Sequence, residues 1–329
     1  MTKAHKPIQT IGRWLLRLIG PALLVIFLAK SDLGAITSAF GTMDLWPLAL
    51  SLCLFPLFIG VKTWRWQLIM RELGLAPTPF GLAAALYTIG LYAGGITPGQ
   101  SGDFIKGWYL QKRGLPLAPS LFSILIDRLF DLFIMALLAV IGLFTFADVF
   151  PAGVQPLIRI ATLGFAALMA LITPSLMARA PREWLLGLAA RIAPARFRAR
   201  IDSVRQQFAP LSLRPLPLVR LLLATAASAS STMLRIWLLY FALRLSIPLL
   251  EVIGSTALIA ILQALPISVA GIGVRDAVLV ALLGRHGYAA EQAISLSALF
   301  LLLNIEHILL GFLVSLRYPL AAADQPSAQ

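Results

Sequence analysis

The chain has 329 residues, 59% hydrophobic and 12% charged, with a formal net charge of +13 and a mean hydropathy of +0.88. Such an apolar excess excludes an ordinary soluble domain and makes the lipid bilayer the solvent. A single cysteine, Cys53, excludes an intramolecular disulfide, and three scattered histidines have no metal-ligand spacing, so no metal and no cofactor is expected.

In chain order, the apolar stretches 14–28, 45–60, 120–146, 157–173, 219–243 and 293–316 are predicted to span the membrane. The first follows Lys3, Lys6 and Arg13. A cleaved signal peptide is the rival reading there, but Lys30 follows directly and no clear cleavage site is present, which favours an uncleaved signal-anchor.

Two further apolar pairs are shorter and interrupted. Residues 80–97 run into "PGQSGD", with Pro98, Gly99, Gly102 and Asp103, and resume over 104–110. Residues 252–265 run into "PISVAGIGVRD", with Pro266, Gly271, Gly273, Arg275 and Asp276, and resume over 277–283. Each reads as a broken hairpin. If both pairs enter and leave on one side, the basic N-terminus, the loop 62–71, Lys112–Arg113, the Arg-rich segment 175–218 and Arg317 all face the cytoplasm. Both termini are then cytoplasmic in an inner (plasma) membrane, and the two hairpins enter from opposite sides.

The expected fold is therefore an all-α integral membrane protein, a single polytopic domain over 1–329. It has about six spanning helices plus two re-entrant broken-helix pairs in inverted repeats, with units near 80–146 and 250–316. Discontinuous helices brought to mid-membrane expose unpaired backbone groups and a dipole to a substrate. The plainer alternative is that the glycines serve only close helix packing, although packing does not require an Asp beside them. The segment 175–218 reads either as an amphipathic element, with Trp184, Leu185, Leu188 and Ile192 on one face against the inner leaflet, or as a simple loop. Its partners would be anionic lipid headgroups; nucleic acid is not expected, because the basic residues fall between or beside apolar runs.

Ionisable groups inside spans need a partner or a polar cavity. In "LIDRLFDLF" the i,i+3 spacing allows Arg128 to pair with Asp131 along one helix face, beside Asp127. This set is either a neutralised structural pair or a phosphate site in which Arg128 binds and the acids position it. Arg235 lies inside 219–243, either snorkelling to the interface or lining the site. Asn304, Glu306 and His307 fall in the last span, where His307 is either a proton relay or a hydrogen-bonded buried group. Each break carries an acid and a base, Asp103 with Lys106 and Asp276 with Arg275, suited to an anionic or zwitterionic headgroup or to self-neutralisation. No nucleotide loop, nucleophile elbow or zinc-protease motif occurs in the sequence. A transporter is therefore expected ahead of a membrane-embedded enzyme on a lipid-linked substrate, with a scaffold for a lipid-modifying enzyme third.

The series "TPGQSGDFIKGWYL", "ILIDRLFDL" and "LPISVAGIGVRD" resembles the membrane region of the lysylphosphatidylglycerol synthase family over about Arg13 to Arg317. Relative to that pattern, Asp103 and Lys106 replace Glu and Arg, Asp127 and Asp276 replace Glu, and Ala270 replaces Gly. The resemblance implies a lipid translocase for a phospholipid, aminoacylated phospholipid or glycolipid, with any enzyme that makes the substrate being another polypeptide. The headgroup would contact Arg128, Lys106, Arg275 and Arg235.

Overall fold

The computed structural model describes residues 40–146, 152–153, 155–177, 179–192, 194, 198, 215–264 and 273–318. The predicted span 14–28 and the break residues Pro266 and Gly271 lie outside the described residues. The described elements are all helical: α1 Leu45–Cys53, α2 Phe55–Glu72, α3 Phe80–Ile96, a 3-10 segment Pro98–Phe104, α4 Ile105–Gln111, α5 Leu117–Phe146, α6 Gln155–Met177, α7 Arg179–Ile192, α8 Pro215–Ala242, α9 Leu249–Ala264, α10 Val274–Arg285 and α11 Ala290–Arg317. Leu45–Glu72, Gln155–Thr173, Leu218–Ala242 and Ala290–Arg317 are long and apolar enough to cross a membrane, while Phe80–Ile96 and Leu249–Leu262 are shorter apolar helices. At 1.5 Å per residue α5 extends roughly 45 Å, also enough to cross.

One predicted boundary is corrected. The span expected to end at Gly60 continues through α2 to Glu72, so Lys62 and Arg65 are buried rather than placed in a cytoplasmic loop. Their burial is tolerated because carboxylates on α5 meet them, as described below.

The order α2, turn, α3, 3-10 segment, α4, turn, α5 has a counterpart in α8, turn, α9, α10, turn, α11. The turns match in detail. After α2, Gly74 (φ +69°) donates to the Arg71 carbonyl and Leu75 N to that of Met70; after α8, Arg244 (φ +54°) donates to Phe241 and Leu245 N to Tyr240. After α4 and α10, Gly114 and Gly287 take the same left-handed conformation, with Leu115 N returning to Leu110 and Tyr288 N to Leu283. The recurring unit thus begins with a long helix that the sequence reading placed outside it.

Each unit has its own buried cluster. Trp66, Ile69, Leu86, Leu110 and Ile124 centre the first, and Leu239, Tyr240, Leu279, Leu283 and Leu296 the second. The units also interlock, since α3 packs along α11 and α9 along α5. Lipid tails are as apolar as Leu, so this association depends on close packing rather than on the hydrophobic effect. Glycine supplies the closeness: a Cβ on Gly311 would collide with the Thr88 carbonyl and Tyr92, and one on Gly95 would press Ile308.

The Arg-rich segment resolves in part as a helix, α7, which exposes Trp184, Leu188 and Ile192 at i, i+4 and i+8 and buries Arg182. The Leu185 side chain lies outside the described residues.

Candidate functional site

The first break is a tight reversal. The Thr97 hydroxyl donates to the Ala93 carbonyl (2.8 Å) and accepts from Gly102 N (2.7 Å), folding the 3-10 segment back onto the end of α3. Gly102 lies so near Ala93 that any Cβ would overlap its carbonyl. This reversal points Asp103 inward, where it is 1% exposed. Its Oδ2 lies 2.9 Å from Arg128 Nε on α5 and 2.9 Å from Lys106 Nζ. The Lys106 contact has ion-pair distance without hydrogen-bond alignment, and the ammonium instead sits over the Tyr87 ring (4.1 Å) and the Trp66 ring (5.0 Å).

The second break is tied down by the same logic with other chemistry. Gly273, at φ +83°, donates its N–H to Asp276 Oδ2 (2.7 Å), which caps the start of α10. Ser297 on α11 bonds Asp276 Oδ1 and accepts from Arg275 Nε (2.7 Å). In both units the acid of the break is therefore held by the long helix that follows it.

A second network lies deeper. Arg65 Nε donates to Asp127 Oδ1 (2.8 Å), its Nη1 to Asp131 Oδ1 (2.7 Å) and its Nη2 to the Asp127 carbonyl (3.1 Å). Tyr87 donates to Asp127 Oδ2 (2.7 Å), and Lys62 Nζ lies 3.2 Å from Asp131 Oδ2. The expected Arg128–Asp131 pair is thus replaced. The acids face α2 and are paired by its cations, while Arg128 turns toward the break and holds Asp103 and Gln100. A two-pronged guanidinium from a neighbouring helix satisfies two carboxylates at once, which a residue of the same helix cannot.

Arg235 does not snorkel. It is 2% exposed, donates to the Ser51 carbonyl (2.8 Å), pairs with Glu306 and lies 2.9 Å from His307 Nε2. An Arg N–H can only donate, so Nε2 accepts and this His307 is a neutral imidazole. Its ring stacks on Phe58 at 5.1 Å.

These groups surround a cavity of about 400 Å³ between the two units. Lys62, Gln100, Arg128, Asp131, Arg235 and His307 line it together with Thr232, Thr256 and Asn304, and apolar side chains including Leu132, Met135, Ile259 and Phe300 complete the wall. Of the expected site residues, Arg128, Asp131 and Arg235 reach the cavity directly. Asp103, Lys106, Asp127 and Glu306 stand behind them, and Arg275 and Asp276 sit outside the lining, with Arg275 behind Phe300 at 5.9 Å from its ring. Lys106 and Arg275 are therefore not part of the cavity lining. The sequence reading missed Lys62, Arg65 and Tyr87. A signal existed, for Lys62 and Arg65 are one helical turn apart and so are Asp127 and Asp131. Among the described residues no group of three or more His, Cys, Asp or Glu could hold a metal ion.

Fold and site together define a multi-pass, all-α membrane protein with a charged internal cavity. The family model for the lysylphosphatidylglycerol synthase TM region matches residues 14–311, and the chain belongs to that family. Comparison with curated proteins gives no match. The family associates the chain with lipid metabolism or transport.

Proposed function

We propose that the protein is a lipid translocase, which moves a phospholipid, aminoacylated phospholipid or glycolipid between leaflets. The observation that carries this reading is the cavity of about 400 Å³ between the two interlocked units, lined by charged side chains together with apolar ones. Its size admits a lipid headgroup, while acyl chains remain among the exposed apolar side chains of the outer helix faces. The two broken pairs are read as re-entrant and inverted, entering from opposite sides, with both termini cytoplasmic and the protein in the inner membrane. The matched turns and the reciprocal packing of α3 on α11 and α9 on α5 support that arrangement. Anionic headgroups against the α7 region and a separate lipid-modifying enzyme are the partners this reading expects.

Purified protein in liposomes tests it. Leaflet exchange of a labelled phospholipid, followed by a membrane-impermeant quencher, is expected to accelerate. A change in the lipid's mass without exchange would instead identify an embedded enzyme, and neither outcome with well-folded protein would leave a scaffold role.

A further inference from the structure

A left-handed residue stands at the same place in each unit. Gln100 (φ +55°) and Gly273 (φ +83°) each lie three residues before an acid, Asp103 or Asp276. Each also lies at the same distance before the left-handed glycine of the next turn, Gly114 or Gly287. Glycine adopts this conformation without a steric penalty, whereas a side chain is strained in it. The second unit thus meets a backbone requirement with the residue suited to it, and the first meets the same requirement with a glutamine. Among the described residues two non-glycine residues have a positive φ, Gln100 and Arg244. Arg244 lies in an exposed turn, but Gln100 lines the cavity, where retained strain points to a use for the side chain.

That side chain reaches Arg128. Gln100 Oε1 accepts from Arg128 Nη1, while Arg128 Nε donates to Asp103 Oδ2 at 2.9 Å. A guanidinium can only donate, so the amide oxygen and not the amide nitrogen faces it. The two holds on Arg128 are unequal. Asp103 is a carboxylate, 1% exposed, whereas Gln100 is a neutral amide on an exposed residue. A hydrogen bond to an ionised oxygen is roughly twice as strong as one to a neutral acceptor. Strain in the Gln100 backbone subtracts further from the weaker hold. Asp103 therefore aims the guanidinium, and Gln100 occupies one of its donors at little net gain.

Resting on the translocase reading, we infer that Gln100 is an internal competitor for Arg128, displaced by an anionic oxygen of a phosphate group. The phosphate oxygen takes the Nη1 donor that the amide oxygen holds, and Gln100 leaves the left-handed conformation as it lets go. Asp103 keeps the guanidinium aimed in both arrangements. Gln100 is a positioning residue that acts through Arg128. Competition of this kind lowers apparent affinity by the fraction of molecules in which Arg128 is unlatched, so a bound phosphate is also released readily. The phosphate can belong to a lipid headgroup or be free in solution, and the test separates the two.

The test measures binding of phosphatidylglycerol, and separately of inorganic phosphate, to the full-length protein in detergent, together with leaflet exchange of phosphatidylglycerol in liposomes. Gln100→Gly keeps the left-handed backbone and removes the amide; it is expected to tighten phosphatidylglycerol binding roughly two- to fivefold. Gln100→Glu gives Arg128 an ionised partner and is expected to weaken binding roughly tenfold and to slow exchange by a similar factor. In an Arg128→Ala background both effects are expected to vanish, which a role in shaping the backbone alone would not produce. Unchanged or weaker binding in Gln100→Gly, or effects that persist without Arg128, would overturn the competitor role and leave translocation standing. The expected order of variants in lipid binding, without any leaflet exchange, would uphold the competitor role and remove the translocase reading. That order with inorganic phosphate and not with lipid would do the same, and would make free phosphate the ligand.

Discussion

Arg65 and Arg235 occupy equivalent places, each the same distance before the left-handed turn that ends its helix, and each reaches the long final helix of its own unit. Arg65 binds Asp127 and Asp131 on α5, and Arg235 binds Glu306 on α11. One geometric solution for anchoring a long helix has been used twice, with two acids in one unit and one acid beside a histidine in the other.

Arg65 is 0% exposed, so its removal strands two carboxylates. Arg65→Ala is expected to destabilise the protein by roughly 3–5 kcal/mol, the usual consequence of leaving buried charge unpaired. Thermal unfolding in detergent measures this. Adding Asp127→Asn and Asp131→Asn should recover much of the loss, and failure to recover would mean that Arg65 acts by packing.

Arg128→Ala should be milder, because Asp103 keeps Lys106 at 2.9 Å. Its melting temperature should fall less than that of Arg65→Ala, while lipid exchange falls at least tenfold. A variant that also carries Asp103→Asn removes the remaining acid; if it restored exchange, Arg128 would be structural and not a headgroup ligand.

Gly311→Ala drives a methyl into the Thr88 carbonyl across the contact between the units. Overpacking of this kind costs about 1–3 kcal/mol. Gly284→Ala, where a Cβ meets nothing within 4 Å, is the matched control and should melt like the parent protein.

Sidedness is open to direct measurement in a Cys53→Ser background. Trp184→Cys in α7 should react with an impermeant thiol reagent only from the cytoplasmic side, and Gly153→Cys only from the other. Reaction of both from one side would remove the inverted arrangement.

Asp44 and Arg244 join the ends of α1 and α8 at 2.7 Å in the open. The hydrogen bond from Arg244 holds the Asp44 carboxyl below its ordinary value. A carboxyl depressed on folding stabilises above its unfolded pKa, and that contribution disappears as pH falls through the folded value. Asp44→Asn should therefore match the parent protein in strong acid and fall slightly below it near neutrality. Because the pair is fully exposed, the gap should be small and should shrink with salt.

Apolar run length and the Gly/Pro break at Pro98–Gly102 sufficed to read the described helices and the first interruption, because both are local properties of the chain. Pairing was not local. Asp131 could be matched to Arg128 by spacing alone, yet the choice was made by Arg65, distant in sequence and buried in a helix whose charged end resembles a loop.

The crossed packing of α3 on α11 and α9 on α5 also governs how the protein is made. Ribosomes deliver the first unit before the second, so α3 and α5 wait in the bilayer with their glycine-lined and polar faces uncovered. The translocase reading aside, a nascent chain halted before α8 holds Asp103, Asp127 and Asp131 with their cations but lacks half the cavity wall. The contacts of α3 with α11 and of α5 with α9 can form only after the second unit has been made.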